Sequence, residues 1–108
     1  MADILMRQCD VFSNPSERPS SNVPFIVVLQ SNLIFQTTTV VVAPLVRADR
    51  LRDDQGLYPV FDIHGLRVAL SVTELATLPR RALKDYVTTL EGERHRIIRA
   101  IDVLFTGT

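Results

Sequence analysis

The chain contains one cysteine, no tryptophan and only four glycines among its 108 residues. A single thiol, Cys9, cannot form an internal disulfide, which excludes a disulfide-stapled secreted scaffold and favours a reducing compartment. No apolar stretch approaches the roughly 18 residues of a membrane span, and residues 1–5 lack the basic start and the apolar length of a signal peptide. We therefore expect a cytoplasmic protein that does not enter a membrane.

Signatures of metal, phosphate and nucleic-acid binding are also lacking. Cys9, His64 and His95 stand apart, without the spacing of metal ligands, and the glycines are scattered instead of gathered in a phosphate-binding loop. Twelve basic and twelve acidic residues give a net charge of zero, so no long-range field attracts nucleic acid. We expect no metal, no cofactor and no direct sequence-specific binding of nucleic acid by the chain alone.

The composition of the chain is that of one folded domain. Hydrophobic residues make up 46% of the chain and the mean hydropathy is +0.16, which is typical of globular proteins. A chain of this size buries only about two-thirds of its unfolded surface, so the core is modest and dimerisation would extend it. We expect a single domain over residues 1–108.

Short apolar runs separated by turn signals predict the strands of a β-sheet. Two of these runs are almost unbroken, which indicates strands covered on both faces, and Pro44 interrupts the second. The dipeptide His64-Gly65 predicts the turn of a hairpin. The predicted strands are Cys9–Phe12, Phe25–Leu29, Val40–Val46, Tyr58–Ile63 and Leu66–Val72.

The last of these strands alternates strictly, a pattern typical of one buried and one solvated face. The predicted core residues are Leu66, Val68, Leu70 and Val72, and the predicted solvent-facing residues are Arg67, Ala69 and Ser71. Thr73–Leu78 then predicts a turn of helix. Arg80–Thr89 suits either a short strand or an irregular segment.

Residues 90–108 predict an amphipathic helix that ends in a short tail. Thr88 and Glu91 have the spacing of a capping box at its start. The tail Phe105–Thr108 combines an aromatic ring with a flexible glycine, features that suit contact with another protein. The apolar stripe is Leu90, Ile97, Ile98, Ile101, Leu104 and Phe105, of which Ile97, Ile98, Ile101 and Leu104 are expected in the core.

A second candidate contact surface lies between the two unbroken apolar strands. Gln30–Thr39 begins with polar residues, continues with Leu33-Ile34-Phe35 and ends in three threonines. This pattern predicts a strand end or turn that presents apolar side chains near solvent. In the alternative interpretation, Leu33 and Ile34 are strand residues beneath a loop.

Several strings in this order resemble the CcdB family of toxins. The resemblance runs from Gln8 to Thr108 and rests on the order and spacing of strings that are individually short. Because it begins near Gln8, residues 1–7 are expected to form a disordered extension, with Met6 as an alternative start. The strings are Cys9–Pro15, Gln30–Ile34, Val42–Leu45, Leu57–Val60 and Ile97–Gly107.

The resemblance implies an α+β fold, with an SH3-like, CcdB-type antiparallel sheet of about five strands, a small extra sheet and a C-terminal α-helix. It implies a homodimeric, non-catalytic toxin of a type II toxin–antitoxin system. Such a toxin binds the A subunit of DNA gyrase and traps the enzyme on cleaved DNA, and a CcdA-type antitoxin neutralises it. The loop Asn14–Ser21 lies where the family contacts the antitoxin, but its sequence is too different to assign residues.

Carried over position by position, the gyrase contacts of the family fall on two parts of this chain. Thr106 stands where the best-studied form has Trp, and Thr108 where it has an aliphatic residue, so both changes remove apolar contact area. Some relatives also have Thr at the Trp position. The implied gyrase-binding residues are Leu33, Ile34, Asp102, Phe105, Thr106, Gly107 and Thr108.

Two other hypotheses remain open. A ribonuclease toxin of the MazF type has a related fold, and Asp62, His64 and Arg67 would supply an acid, a base and a cation for cleavage of RNA. Asp62 and His64, two apart on one strand, would share a face. A solvated strand end is the ordinary explanation for such a trio. A chromosomal relative that has lost its toxicity is the third hypothesis.

Overall fold

The computed structural model describes residues 6–16, 22–48 and 56–107. Seven strands and one α-helix lie in these ranges, with 3₁₀ turns at Val72–Glu74, Arg80–Ala82 and Glu91–Glu93. The strands are β1 (Asp10–Ser13), β2 (Phe25–Val28), β3 (Thr39–Arg47), β4 (Val60–Ile63), β5 (Leu66–Leu70), β6 (Ala76–Pro79) and β7 (Tyr86–Thr89). The helix is α1 (Arg94–Thr106).

All strand pairs of the described residues are antiparallel, and the sheet order is β4-β5-β3-β2-β1-β7, with β6 also paired to β3. The α+β class predicted from the sequence is therefore confirmed. The small extra sheet that the resemblance implies is not separate, because β6 joins the main sheet through β3. One edge of β3 pairs with β2. With nine residues, β3 is long enough for its other edge to pair with β6 along the first half and with β5 along the second half.

The sheet is covered on both faces, as the unbroken apolar runs predicted. One buried cluster lies between the sheet and α1, and includes Val27, Leu45 and Ile97. The alternate residues of β2 and β3 point to the other face, where Phe12, Ile26, Val28, Val40, Val42 and Leu83 form a second buried cluster. Two clusters on one sheet explain why β2 contains no polar residue.

The prediction that Leu66–Val72 has one solvated face holds for Arg67, which is exposed, but is wrong for Ala69 and Ser71. Ala69 and Ser71 are both buried. In the strand register, Ala69 lies between Val46 of β3 and Val60 of β4, and these larger side chains cover it. The hydroxyl of Ser71 donates to Oε1 of Glu74 at 2.6 Å, so its burial leaves no unsatisfied group.

The prediction of a helical turn over Thr73–Leu78 is only partly right. A 3₁₀ turn occupies Val72–Glu74, but after one further residue, Leu75, the chain forms β6 from Ala76 to Pro79. The strand forms because Thr39–Val42 of β3 leaves one edge free for it, with Thr39 opposite Pro79 and Val42 opposite Ala76. A weak local preference thus gives way to the pairing that the sheet offers.

The start of the helix also differs from the prediction. The helix begins at Arg94, not at Leu90, because Glu91–Glu93 forms a 3₁₀ turn that contains Gly92. The capping box of Thr88 and Glu91 is absent: instead the backbone N–H of Glu91 donates to Oγ1 of Thr89 at 3.3 Å. Glycine weakens the first turn of an α-helix, which agrees with this later start.

Most of the apolar stripe of α1 packs as predicted. Ile97 and Ala100 are fully buried, and Ile101 and Leu104 pack partly buried against the same cluster. Ile98 is only half-buried, at the edge of the stripe. The helix continues to Thr106, so Phe105 and Thr106 belong to α1 and not to a separate tail.

Pro44 lies in the interior of β3 without breaking the sheet. Its carbonyl accepts a hydrogen bond from the backbone N–H of Ser71 at 2.9 Å. In a strand, the N–H and C=O of one residue point to the same side, so the missing N–H of Pro44 faces the gap between β5 and β6. The 3₁₀ turn Val72–Glu74 fills that gap, so no neighbouring strand requires a backbone N–H from position 44.

At the amino end, residues 1–5 of the expected extension lie outside the described residues. Met6 packs partly buried against the second cluster, and the backbone N–H of Arg7 donates to Oδ2 of Asp10 at 3.0 Å. The domain therefore includes residues 6 and 7.

Candidate protein-binding surface

The loop between β2 and β3 presents three consecutive apolar side chains to solvent. Leu33 is 88% exposed, Ile34 52% and Phe35 61%. These residues, called the apolar loop below, are not strand residues beneath a loop, so that alternative is wrong. Exposed apolar side chains in a row are uncommon on a monomer surface and typically mark a contact with another molecule.

The amide of Gln30 holds the apolar loop from inside. Its Nε2 donates to the carbonyl of Ile34 at 2.7 Å and to Oγ1 of Thr37 at 3.0 Å. Its Oε1 accepts from the backbone N–H of Val41 at 3.2 Å. One side chain therefore links both arms of the loop to the first residues of β3.

The guanidinium of Arg80, the residue directly after β6, closes the loop from the other side. Its Nε donates to the carbonyl of Thr37 at 2.6 Å, and its Nη2 lies 3.3 Å from the carbonyl of Ile34 and 3.4 Å from Oγ1 of Thr37. The backbone N–H of Arg80 donates to the carbonyl of Thr38 at 3.0 Å. The loop is thus fixed by side chains from two directions.

The base of the loop is tied to the start of the helix. Oδ1 of Asn32 accepts from the backbone N–H of Gln8 at 2.7 Å, and Nε2 of Gln8 donates to the carbonyl of Leu29 at 2.9 Å. The Oε1 of Gln8 in turn accepts from Nε of Arg94, the first residue of α1, at 2.8 Å. Polar contacts therefore run from the loop to the helix that carries the other predicted contact residues.

The end of α1 forms the second predicted group. Phe105 is 67% exposed, which places its ring outside the core. Asp102 and Thr106 are also exposed, and Oγ1 of Thr106 donates back to the carbonyl of Asp102 at 2.7 Å. Thr108 lies outside the described residues.

Gly107 ends the helix in the left-handed conformation, with φ of 76°. Its backbone N–H donates to the carbonyl of Val103 at 3.1 Å, the αL cap in which glycine is favoured because it has no Cβ. The turn gives the last described residue a defined direction. The hydrogen bonds that fix this end and those that fix the apolar loop have no residue in common.

The three residues of the ribonuclease hypothesis lie at the hairpin of β4 and β5. Asp62 and Arg67 are opposite each other in the ladder and both are exposed. His64 is not on the strand with Asp62 but in the turn, with φ of 50°, so the predicted shared face is wrong. Within the described part of the chain, no hydrogen bond or ion pair joins any two of the three.

The other candidate ligands remain apart from one another. Among the residues that the structure describes, no group of three His, Cys, Asp or Glu side chains could hold a metal ion. Cys9 is buried, and desolvation by burial raises the pKa of its thiol to about 11. A thiol that stays protonated and enclosed is a core residue and not a nucleophile.

Of the loop predicted to contact an antitoxin, residues 14–16 are described and residues 17–21 are not. The side-chain amide of Asn14 donates to the carbonyl of Val23 at 2.9 Å, and its Oδ1 accepts from the backbone N–H of Ser16 at 3.0 Å. These bonds fix the first residues of the loop and leave Pro15 and Ser16 exposed.

Three residues of the surface were not among the predicted contacts. Phe35 had a sequence signal, since it directly follows Leu33 and Ile34 in the apolar triplet. Gln30 had only its place in the string Gln30–Ile34, and Arg80 had no signal. Arg80 reaches Thr37 across 43 residues of sequence, and that approach depends on the pairing of β6 with β3.

No helix in the described ranges is both long enough and apolar enough to cross a membrane. A family model described as CcdB protein matches residues 8–107, which is nearly the whole chain. No curated protein sequence matches the chain significantly.

Proposed function

The chain belongs to the CcdB family, and on that premise we propose that it is the toxin of a type II toxin–antitoxin system that binds the A subunit of DNA gyrase. In this proposal it traps the complex of gyrase with cleaved DNA. The observation that carries the proposal is the family match over residues 8–107. The exposure of Leu33, Ile34 and Phe105 at the positions that the family uses supports it.

The proposed mechanism is binding without bond-making chemistry. The toxin would stabilise one state of gyrase, the cleaved complex, by binding that state more tightly than the others. The contacts would be apolar, through the loop and through Phe105, with polar contributions from Asp102. The proposed contact residues are Leu33, Ile34, Asp102, Phe105, Thr106, Gly107 and Thr108.

Phe105 would be the principal aromatic anchor. Burying a Phe side chain contributes roughly 1.5–3 kcal/mol, and aromatic residues are enriched among the residues that dominate interface energies. Thr106 adds little apolar area, and its hydroxyl is already bonded to the carbonyl of Asp102. We therefore expect weaker binding than in a relative that carries Trp at position 106.

The proposed assembly is a homodimer with a CcdA-type antitoxin as its second partner. A twofold axis would place two copies of each contact group on one particle, and two linked contacts raise the affinity through effective concentration. The antitoxin would bind the toxin in the cytoplasm and release it from gyrase. The loop Asn14–Ser21 is the proposed place of part of this contact.

The test is a gyrase cleavage assay with purified protein. We expect double-strand breaks in plasmid DNA to accumulate when gyrase, ATP and the protein are incubated together and the complex is denatured and digested. Phe105→Ala should reduce the cleaved fraction. Absence of trapped breaks at micromolar protein, with a quinolone as positive control, would refute the proposal.

His64→Asn is the matched control, because it removes the imidazole at the hairpin and Asn tolerates a positive φ. It should leave the trapped fraction unchanged. A loss of growth inhibition by this variant, without any effect on gyrase, would support the ribonuclease hypothesis instead. Expression of the wild-type chain in a sensitive host without growth inhibition would support the non-toxic homologue.

A further inference from the structure

Arg80 binds the apolar loop in an unusual way for an arginine near the surface. It forms no ion pair with any residue of the described ranges. Its N–H groups point instead to neutral acceptors: the carbonyls of Ile34 and Thr37, the hydroxyl of Thr37 and, at 3.8 Å, Sδ of Met6. A guanidinium presents several donors in a rigid planar fork, so one side chain closes the loop across the residues that lie between these carbonyls.

Gln30 shares two of these acceptors, the carbonyl of Ile34 and Oγ1 of Thr37. Two side chains, called the frame below, therefore hold the polar groups of the loop. Gln30 follows β2 and Arg80 follows β6, the two strands that flank the start of β3. Because the carbonyls at positions 34 and 37 point inward, the side chains of Leu33, Ile34 and Phe35 are left on the outer surface. The frame thus holds the apolar residues in solvent.

Free apolar side chains normally fold back onto the protein surface to reduce their contact with water. A loop that keeps three of them exposed needs a restraint, and the frame of Arg80 and Gln30 supplies it. A loop held in its binding shape loses less conformational entropy when a partner covers it, which raises affinity without a new contact.

We propose that Arg80 is a positioning residue that orders the apolar loop for the partner, without contacting the partner itself. This inference rests on the proposed binding of the A subunit of gyrase through Leu33 and Ile34. Removal of the guanidinium should free the carbonyls of Ile34 and Thr37, widen the range of loop conformations and weaken binding.

The experiment compares Arg80→Ala and Arg80→Lys with the control Arg81→Ala. Arg81 is the next residue, lies in the same 3₁₀ turn, is exposed and has no hydrogen-bond partner in the described part of the chain. Arg81→Ala therefore makes the same change in net charge as Arg80→Ala but leaves the hydrogen bonds of Arg80 and Gln30 with the loop in place. Three quantities are measured for each variant: the methyl order parameters of Leu33 and Ile34 by NMR, the midpoint of thermal unfolding, and the affinity for purified gyrase A subunit.

We expect Arg80→Ala to lower the methyl order parameters and to weaken binding about tenfold, a typical result of losing charge-assisted hydrogen bonds. Arg80→Lys should restore part of the affinity, since an ammonium group reaches one carbonyl but not both. Arg81→Ala should match the wild type in all three measurements.

Unchanged order parameters in Arg80→Ala would overturn the proposal, and so would an equal loss of affinity in Arg81→Ala. If Arg80→Ala instead unfolds the protein, the order parameters of Gln30→Ala, which frees the same carbonyl of Ile34, decide the question. A wild-type protein that does not bind the A subunit would refute the proposed function, while the order parameters still test whether Arg80 orders the loop.

Discussion

Arg96 connects α1 to the edge of the sheet, and its replacement gives the sharpest test of the fold. Nη2 of Arg96 donates to the carbonyl of Val60 at 2.9 Å. Its guanidinium lies 4.6 Å from the ring centre of Phe61, and Nη1 is 3.0 Å from Oε1 of Glu93. One side chain thus makes three kinds of contact at once, two of them with β4.

The magnitudes of these contacts differ. A hydrogen bond from a charged donor is worth about 1.5–3 kcal/mol, a cation over an aromatic ring about 0.5–1 kcal/mol at a partly exposed site, and an exposed ion pair about 0–1 kcal/mol. Because the contributions are not additive, we expect Arg96→Ala to lower the free energy of unfolding by about 2–3 kcal/mol. For a chain of this length that corresponds to a fall in Tm of about 10 °C.

Chemical denaturation followed by circular dichroism, at fixed protein concentration, measures this difference. Glu93→Gln removes only the ion pair and should cost less than about 1 kcal/mol. His95→Ala, at an exposed neighbouring position, is the control for a change in helix composition. A loss below about 0.5 kcal/mol in Arg96→Ala, the size of an ordinary surface substitution, would refute the reasoning.

Three further predictions concern the core and the helix end. The pKa of Cys9 is about 11 in the folded protein and the reference thiol value is 9.0, so between these values the native state keeps a proton that the unfolded state loses. The free energy of unfolding should therefore fall from pH 9 to pH 11. In Cys9→Ala, measured over the same pH range, this part of the fall should be absent. Ile97→Ala removes a fully buried side chain between α1 and the sheet and should cost about 2–5 kcal/mol in denaturant titrations; a cost below 1 kcal/mol would contradict the packing. Gly107→Ala places a Cβ at φ of 76° and should lower the free energy of unfolding by about 1 kcal/mol in denaturant titrations; an unchanged free energy would contradict the need for glycine at this cap.

The parts of the fold that periodicity governs were predictable from the sequence. The stripe of α1 and the inner face of β5 follow from spacings of three to four and of two, because those repeats select which side chains share a face. The unbroken runs in β2 and β3 predicted burial on both faces. The exposure of Leu33 and Ile34 followed from an apolar triplet between polar neighbours.

Features that depend on contacts distant in sequence were not predictable. β6 has no alternating pattern and exists because β3 offers a free edge. The burial of Ala69 depends on Val46 and Val60, which the register places on either side of it. Arg80 reaches the apolar loop only because β6 pairs with β3. Since the sequence did not predict β6, it could not predict the contact of Arg80 with the loop either. The contacts with gyrase and the antitoxin stay predictions.

Pro44 has a consequence for how the chain selects one folded state among its alternatives. Both faces of β3 are apolar, so a slip of one residue would exchange buried valines for other buried apolar residues, and hydrophobicity alone discriminates weakly against it. A slipped β3 would turn the imino nitrogen of Pro44 towards β2, where an interior ladder bond would be lost. Because it has no N–H donor, Pro44 thereby favours the native register of β3 over the slipped one. Pro44→Val should increase misfolding and aggregation more than it changes the free energy of unfolding of the folded protein.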